Sequence, residues 1–218
     1  MGGEYFVVLI IALIVSVVLH EMAHGYAAYY LGDPTAKLQG RLSPNPLVHL
    51  DPLMSVIVPG LLILSNTPFI FGAAKPVPYN PYNLRDQKWG EAKIAAAGPA
   101  VNIGLAIIFA ALVGLAPSLG LPAQFQEISL LIVYLNLFLA FFNLLPLPPL
   151  DGSKILPPIL GLFSTEVMWQ YQRVRQMLEQ NALLAFAIII FLVLVVLGTP
   201  LFLFTQLMAE WLVSLFTL

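Results

Sequence analysis

The sequence predicts an all-α polytopic membrane protein with about four transmembrane helices, plus a re-entrant hairpin with short β-strands near the cytoplasmic face. The first observation is composition: of 218 residues, 60% are apolar and 9% are charged, against roughly 25% charged in a soluble domain. The second is that the few charges divide the chain into long uncharged stretches. A net charge of −2 excludes nucleic acid as a partner, and the lack of cysteine excludes thiolate metal sites.

The uncharged stretches predict the spans, because a membrane-crossing helix needs about 20 apolar residues. Proline residues from Pro146 onward end the third span, since they cannot donate to a helix. Gly198-Thr199-Pro200 is expected to kink or break the last span. The predicted spans are 5–24, 94–115, 128–145 and 182–197, with the last one extending to about 207.

A further apolar stretch, residues 53–71, is interrupted by Pro59-Gly60 and Pro68. The nine basic residues lie in two regions, 32–93 and 151–181. A re-entrant dip places all of them on one side of the membrane, whereas a full crossing scatters them over both. The positive-inside bias therefore favours the dip, a cytoplasmic location for both basic regions, and extracytoplasmic termini.

Two elements are predicted beside the dip. The prolines of residues 74–79 are two positions apart, which blocks one edge of a strand and leaves the other free to pair with 38–43. This re-entrant and strand region covers about 36–80. Residues 165–180 carry an apolar stripe at helical spacing, which predicts a helix on the membrane surface; a solvated linker helix is the alternative.

The motif His20-Glu21-Met22-Ala23-His24 ends the first predicted span. On a helix, His20 and His24 share a face and converge on one zinc ion, while Glu21 reaches the water at the metal. Ionisable groups at the end of an apolar span indicate function by default. The alternative is that these side chains only mark the water interface.

A catalytic zinc site takes three protein ligands and a water molecule. Candidates for the third ligand are His49, Asp51 and Asp151. The first and third spans enter from the same side and bring His20 and the proline-rich segment before Asp151 to similar depths, so Asp151 is the predicted ligand. His49 and Asp51 are expected to cap the hairpin, with support of the zinc ligands as the alternative.

Two asparagines lie within apolar helices. Asn102 is expected to hydrogen-bond between helices or to contact substrate. Asn143 lies eight residues before Asp151 and is a candidate for holding the substrate or the developing oxyanion.

Taken together, these motifs resemble the site-2 protease family of intramembrane zinc metalloproteases. The residues that carry the resemblance are HEMAHG at 20–25, FGAAKPVPYNP at 71–81, AGPAVN at 97–102 and NLLPLPPLDG at 143–152. The resemblance implies a three-helix catalytic core, one zinc ion per chain held by His20, His24 and Asp151, and Glu21 as catalytic base. It also places Asn143 near the active site. The chain resembles a minimal member without a PDZ or CBS domain.

The predicted function is intramembrane zinc metallopeptidase activity by a single membrane-embedded domain, residues 1–218 with a core at about 5–160. The expected partners are the lipid bilayer and a single-span membrane protein, cut near the cytoplasmic side; the oligomeric state stays open. Substrate is expected to unwind and to add as a strand to 38–43 or 74–79. The residues predicted to bind substrate are Asn102, Lys75, Val77 and Tyr79. The alternatives are an inactive scaffold, a transporter, or zinc chemistry on another substrate.

Overall fold

The computed structural model describes residues 3–57, 60, 64 and 74–217, and all regular secondary structure among these residues is helical. The helices are α1 (Gly3–Tyr30), α2 (Thr35–Leu38), α3 (Gly90–Leu115), α4 (Ala123–Asn143), α5 (Gly152–Phe163), α6 (Thr165–Gln180), α7 (Ala182–Phe191) and α8 (Gly198–Ser214). Short 3-10 turns lie at Pro46–His49 and Pro81–Asn83, and π-helical turns at Pro52–Ile57 and Leu192–Leu197.

Four of these helical runs are long and apolar enough to cross a membrane: Tyr5–Tyr30, Gly90–Leu115, Ala123–Asn143 and Leu184–Ser214. The predicted multi-pass membrane protein is therefore confirmed. Helices suit the bilayer because every backbone polar group is satisfied within the segment. The first span ends at Tyr30 rather than at residue 24, because nothing stops the helix before Gly32, whose φ of 109° turns the chain.

The last span differs from its prediction. Gly198-Thr199-Pro200 does not break the helix, which continues as α8 to Ser214. The distortion lies immediately before it, in the π-helical turn Leu192–Leu197. A widened turn accommodates the missing N–H and the ring of Pro200, so the helix continues past the proline.

The spans pack closely through small side chains. The buried cluster between α3, α4 and α8 consists of Ala106, Ala110, Val133, Leu137, Ala209 and Leu212. Alanine at a helix crossing lets the two backbones approach, and van der Waals packing then holds the helices together where lipid removes the hydrophobic driving force. This packing fixes α3 and α4 against each other and sets the position of the polar residues they carry.

The predicted strand pair is wrong in the described part of the chain. Residues 36–38 belong to the helical turn α2, and residues 74–80 have no helix or ladder partner among the described residues. Pro76 and Pro78 restrict the residues before them to extended conformations, and Asn80 is extended as well. The physical reason is Arg41, whose guanidinium donates hydrogen bonds to the backbone carbonyls of Lys75 and Pro76. A side chain therefore occupies the carbonyl groups that a second strand would have used.

Of the predicted dip, residues 53–71, the structure describes 53–57, 60 and 64, and the rest lies outside the described residues. The helix predicted at 165–180 is present as α6, beginning at Thr165 with the Ser164 hydroxyl accepting from the N–H of Val167. The hydroxyl of Tyr171 donates to the carbonyl of Pro146 and so ties α6 to the proline-rich segment. Helix α5, which the sequence analysis did not predict, begins directly after Asp151.

Candidate active site

The two histidines of the HEMAHG motif lie one turn apart on α1 and point at Asp151. His20 Nε2 lies 3.2 Å, and His24 Nε2 3.3 Å, from the same carboxylate oxygen, Oδ2. In a tetrahedral zinc site with bonds of about 2.0–2.1 Å, neighbouring ligand atoms are about 3.3 Å apart. The three side chains therefore have the spacing of zinc ligands, and of the three candidates for the third ligand it is Asp151 that the fold brings to the histidines.

Each imidazole is held through its other nitrogen. His24 Nδ1 lies 2.7 Å from the carbonyl oxygen of Ile94, and since a carbonyl only accepts, Nδ1 carries the proton. His20 Nδ1 lies 2.6 Å from the amide oxygen of Asn102, which again requires a proton on Nδ1. In the neutral form of each ring, Nε2 is then the unprotonated nitrogen, and it faces Asp151.

The carboxylate of Asp151 completes this arrangement. Its Oδ2 is inaccessible to solvent and accepts no well-aligned hydrogen bond from the described residues. When both rings are neutral, two nitrogen lone pairs and one carboxylate face each other, an arrangement that a cation stabilises.

Gly98 on α3 leaves the space for that cation. A Cβ at this position would lie 2.5 Å from Nε2 of both His20 and His24. That is close to the length of a zinc–nitrogen bond, about 2.0–2.1 Å. A side chain at residue 98 would therefore occupy the place of a metal ion.

Glu21 lies beside the ligands and contacts an extended segment of the chain. One carboxylate oxygen of Glu21 and one ring nitrogen each of His20 and His24 lie within 4.8 Å of one another. Glu21 Oε2 accepts a hydrogen bond of 3.1 Å from the backbone N–H of Val77. The carboxylate is therefore oriented between the metal-ligand cluster and residues 74–80, which we call the extended segment.

The extended segment is held at its N-terminal end by Arg41. The guanidinium of this buried residue donates to the carbonyl of Val48 at 2.5 Å and to those of Lys75 and Pro76 at 2.5 and 3.3 Å. The N–H of Lys75 donates to the carbonyl of His49. These contacts hold the N–H and the carbonyl of Lys75 and the carbonyl of Pro76.

Asp33 holds the other end. Its fully buried carboxylate accepts from the backbone N–H of Asn80 at 2.7 Å, from the side-chain amide of Asn83 at 2.8 Å, and from the N–H and hydroxyl of Thr35. Burial alone would raise the pKa of Asp33, but these hydrogen bonds lower it. Asp33 therefore anchors the segment to the end of α1 as a carboxylate.

A cavity of about 340 Å³ opens onto the ligand cluster. Among the predicted residues it is lined by His20, Glu21, His24, Asp51, Val77, Tyr79, Asn102, Asn143 and Asp151. The side chain of Lys75 is exposed and lies outside this lining. Both polar atoms of the Asn102 amide are hydrogen-bonded, to His20 and to Asn136, which favours the interhelical role over a substrate contact.

His49 lies away from the ligand cluster. It is buried, and its Nε2 lies 2.9 Å from the carbonyl oxygen of Ser43.

The sequence analysis did not single out Gly98, Arg41, Asp33 or Lys154, although all four contribute to the site. Lys154 lines the cavity with its ammonium 5.2 Å from the centre of the Tyr79 ring. For Gly98 the available signal was the AGPAVN motif itself, which brings a glycine one helical turn before Asn102.

Comparison with known proteins gives the family. A model of peptidase family M50 matches residues 118–193, which include Asn143 and Asp151. YwhC of Bacillus subtilis, provisionally named a zinc metalloprotease, is 40% identical over 158 residues, or 70% of this chain and 68% of the relative. The chain belongs to peptidase family M50.

Other relatives agree with this assignment. Rip2 of Mycolicibacterium smegmatis, provisionally named a zinc metalloprotease, is 32% identical over 163 residues, or 72% of this chain and 58% of the relative. MJ0392 of Methanocaldococcus jannaschii, named a zinc metalloprotease, is 28% identical over 164 residues, or 72% of this chain and 35% of the relative. No solved structure gave a match. At the level of the family, the predictions of a metallopeptidase and of a zinc cofactor are confirmed.

Proposed function

We propose that this M50 peptidase is an intramembrane zinc endopeptidase that cuts a membrane protein within or next to a transmembrane segment, in regulated intramembrane proteolysis. The observation that carries the proposal is the convergence of His20 Nε2 and His24 Nε2 on Asp151 Oδ2 at 3.2–3.3 Å, where the buried Oδ2 accepts no hydrogen bond from the described residues. These three atoms would hold one zinc ion in the space left by Gly98. A site of this kind within an apolar helix, which continues past His24 to Tyr30, suits a substrate that lies in the membrane.

Zinc, when bound, supplies Lewis-acid chemistry that polarises a peptide carbonyl and makes water acidic enough to act as a nucleophile near neutral pH. Glu21 is the base that takes the proton as water adds to the carbonyl carbon. As the C–N bond breaks, Glu21 passes that proton to the leaving amine nitrogen. Its position supports both steps, because the carboxylate lies within 4.8 Å of the histidine ligand atoms and at the edge of the extended segment.

Asn143 is proposed to hold the reacting carbonyl. It lies at the end of α4 and lines the cavity, with one amide hydrogen donated to the carbonyl of Leu139 at 2.9 Å. The second hydrogen of the same amide remains available as a donor to an oxygen that gains negative charge.

The substrate is proposed to unwind and lie along the extended segment. A helical substrate keeps its carbonyls in internal hydrogen bonds, so it must open before water can attack. Val77 and Tyr79 line the cavity, and the N–H of Val77 already lies beside Glu21. In the substrate complex this N–H would leave Glu21 and donate to a substrate carbonyl, which is thereby brought directly beside the base. The exposed Lys75 is placed to contact the polar flank of such a substrate.

The site is proposed to face the cytoplasm, with both chain termini outside, since all nine basic residues then share the cytoplasmic side. Because the chain contains no cysteine, single cysteines report the orientation directly. We expect an impermeant thiol reagent added to intact cells to label Ser118→Cys, between α3 and α4, and to spare Gln170→Cys on α6. The reverse labelling pattern would contradict the orientation.

Replacing the base tests the enzymatic proposal. The Glu21→Gln variant keeps all three proposed ligands but cannot take a proton, so we expect one zinc per chain and a loss of cleavage of about 100-fold or more. Zinc is measured by mass spectrometry of the purified protein, and cleavage by comparing the membrane proteomes of cells that express either form. Membrane-protein fragments should depend on the wild-type chain.

The matched control is Glu166→Gln on the exposed side of α6, which should cleave like the wild type. Equal fragment patterns in wild-type and Glu21→Gln cells would refute the proposed base, and absence of zinc from the wild type would refute the metal site.

A further inference from the structure

A chain of buried amide side chains leads from α4 through α3 to the histidine on α1. The amide nitrogen of Asn102 donates to Asn136 Oδ1 at 2.9 Å, and Asn102 Oδ1 lies 2.6 Å from His20 Nδ1. Both asparagines are fully buried, and neither is a proposed zinc ligand. Asn136 is a residue that no motif of the sequence singled out.

The donor–acceptor direction of these hydrogen bonds is fixed at the α4 end, by Asn136. Asn136 Nδ2 lies 3.0 Å from the carbonyl oxygen of Ile132, one turn earlier on α4. A backbone carbonyl only accepts, so the amide nitrogen of Asn136 must face it and the amide oxygen must face Asn102. Asn102 must then present its nitrogen to Asn136 and its oxygen to His20.

The same reasoning reaches the imidazole. Since Asn102 presents an acceptor, the proton of neutral His20 lies on Nδ1, and Nε2 keeps its lone pair. If the amides were reversed, Nε2 would carry the proton and could not bind a metal ion. A carbonyl of α4 thus determines which tautomer of His20 occurs on α1.

We propose that Asn136 is a positioning residue which, through Asn102, holds His20 in its metal-binding tautomer before zinc arrives. This inference rests on the zinc site of the proposed function. His24 needs no such chain, because the carbonyl of Ile94 holds its Nδ1 directly. Supporting contacts of this kind commonly change metal affinity about 10- to 100-fold.

The decisive variant is Asn136→Leu, which removes the acceptor for Asn102 and lets that amide rotate. In the metal-free protein, ¹⁵N NMR of labelled histidine should show His20 only as the Nδ1–H tautomer in the wild type and as a mixture in Asn136→Leu. Only three histidines contribute signals. The zinc dissociation constant, measured by chelator competition in detergent, should rise about 10- to 100-fold.

Two variants separate this role from a general packing effect. In its neutral form, the carboxyl of Asn136→Asp keeps an accepting oxygen for Asn102 and a hydroxyl donor for Ile132, so it should restore the wild-type tautomer and zinc affinity. Ser129→Ala removes another buried polar group from α4 and should change neither. If Asn136→Leu does not fold, Asn136→Thr removes the amide acceptor while its hydroxyl bonds back to the helix, and the same changes are expected.

The inference is overturned if Asn136→Leu, or Asn136→Thr in its place, binds zinc as tightly as the wild type and shows His20 only as the Nδ1–H form. It is also overturned if Asn136→Asp and Asn136→Leu lose the same affinity. Failure of the wild type to bind zinc refutes the proposed function instead, so the two failures are distinguishable.

Discussion

The metal-ligand cluster and the extended segment lie side by side but are built in different ways. The cluster takes most of its geometry from regular helices: His20 and His24 share a face of α1, Gly98 lies on a continuous α3, and Asp151 directly precedes α5. The extended segment belongs to no helix or described strand and is held by the side chains of Arg41, Glu21 and Asp33. The cluster therefore depends on helix spacing, and the segment on individual hydrogen bonds.

This difference predicts different consequences of mutation. A change in the helices at the cluster should abolish metal binding outright, because the space for the ion is shared by three side chains and one backbone. Replacing Arg41 or Asp33, which hold the extended segment, should leave the metal site intact. It should weaken substrate positioning and lower the free energy of unfolding by the contribution of a few hydrogen bonds.

The largest effect is expected for Gly98→Ala. Its Cβ would lie 2.5 Å from both Nε2 atoms, so we expect zinc to fall from one per chain to none and cleavage to disappear. The helix itself should not suffer, since alanine favours a helix over glycine by about 1 kcal/mol. Zinc content by mass spectrometry and helicity by circular dichroism are the measurements.

Gly104→Ala is the control for this change, because it lies on the same helix with nothing within 4 Å of a Cβ. It should bind one zinc and cleave normally. A Gly98→Ala protein that retained stoichiometric zinc would show that the ion does not lie against α3.

A smaller effect is expected for Asp33→Asn, which keeps the side-chain shape but exchanges an accepting carboxylate oxygen for an amide. Asp33 accepts from Thr35, Asn80 and Asn83, so we expect the free energy of unfolding to fall by about 1–3 kcal/mol. Zinc content should be unchanged while cleavage decreases. Thermal denaturation of the metal-free protein measures the stability difference.

The pH dependence gives a second measure of the same contact. Because folding lowers the pKa of Asp33 from 3.8, its stabilisation is fully present above that value and is lost as the pH falls through the lower folded pKa. The difference in the free energy of unfolding between the wild type and Asp33→Asn should therefore stay constant from neutral pH down to about pH 4. Below about pH 4 this difference should become smaller. The control is Asp86→Asn, which weakens a more exposed contact with Lys93 and should lower the free energy of unfolding by less. A stability difference between the wild type and Asp33→Asn that grew in acid would contradict the role given to the Asp33 carboxylate.

The sequence predicted the parts of the site that follow from helix periodicity. His20, Glu21 and His24 were recognisable because a spacing of four residues places two imidazoles on one face. Asp151 followed from comparing the depths reached by two spans. Both inferences need only the rise of a helix and the thickness of a membrane.

The extended segment was predicted less well, and the reason is physical. Alternating prolines indicate which strand edge is blocked, but they do not show whether a strand or a side chain binds the other groups. Here Arg41 takes the carbonyls and Asp33 takes an N–H, from positions 34 and 47 residues away. No periodic pattern links such positions, just as none links Asn136 to Asn102.

Gly98 has one more consequence. With zinc in place, the ion would fill the volume that a side chain of α3 fills elsewhere along the helix, so it would act as a packing element as well as a reagent. Association of membrane helices depends on such close contact rather than on expulsion of water. Loss of the ion would then leave a polar void between α1 and α3, and the strength of this helix pair would depend on the supply of metal in the cell.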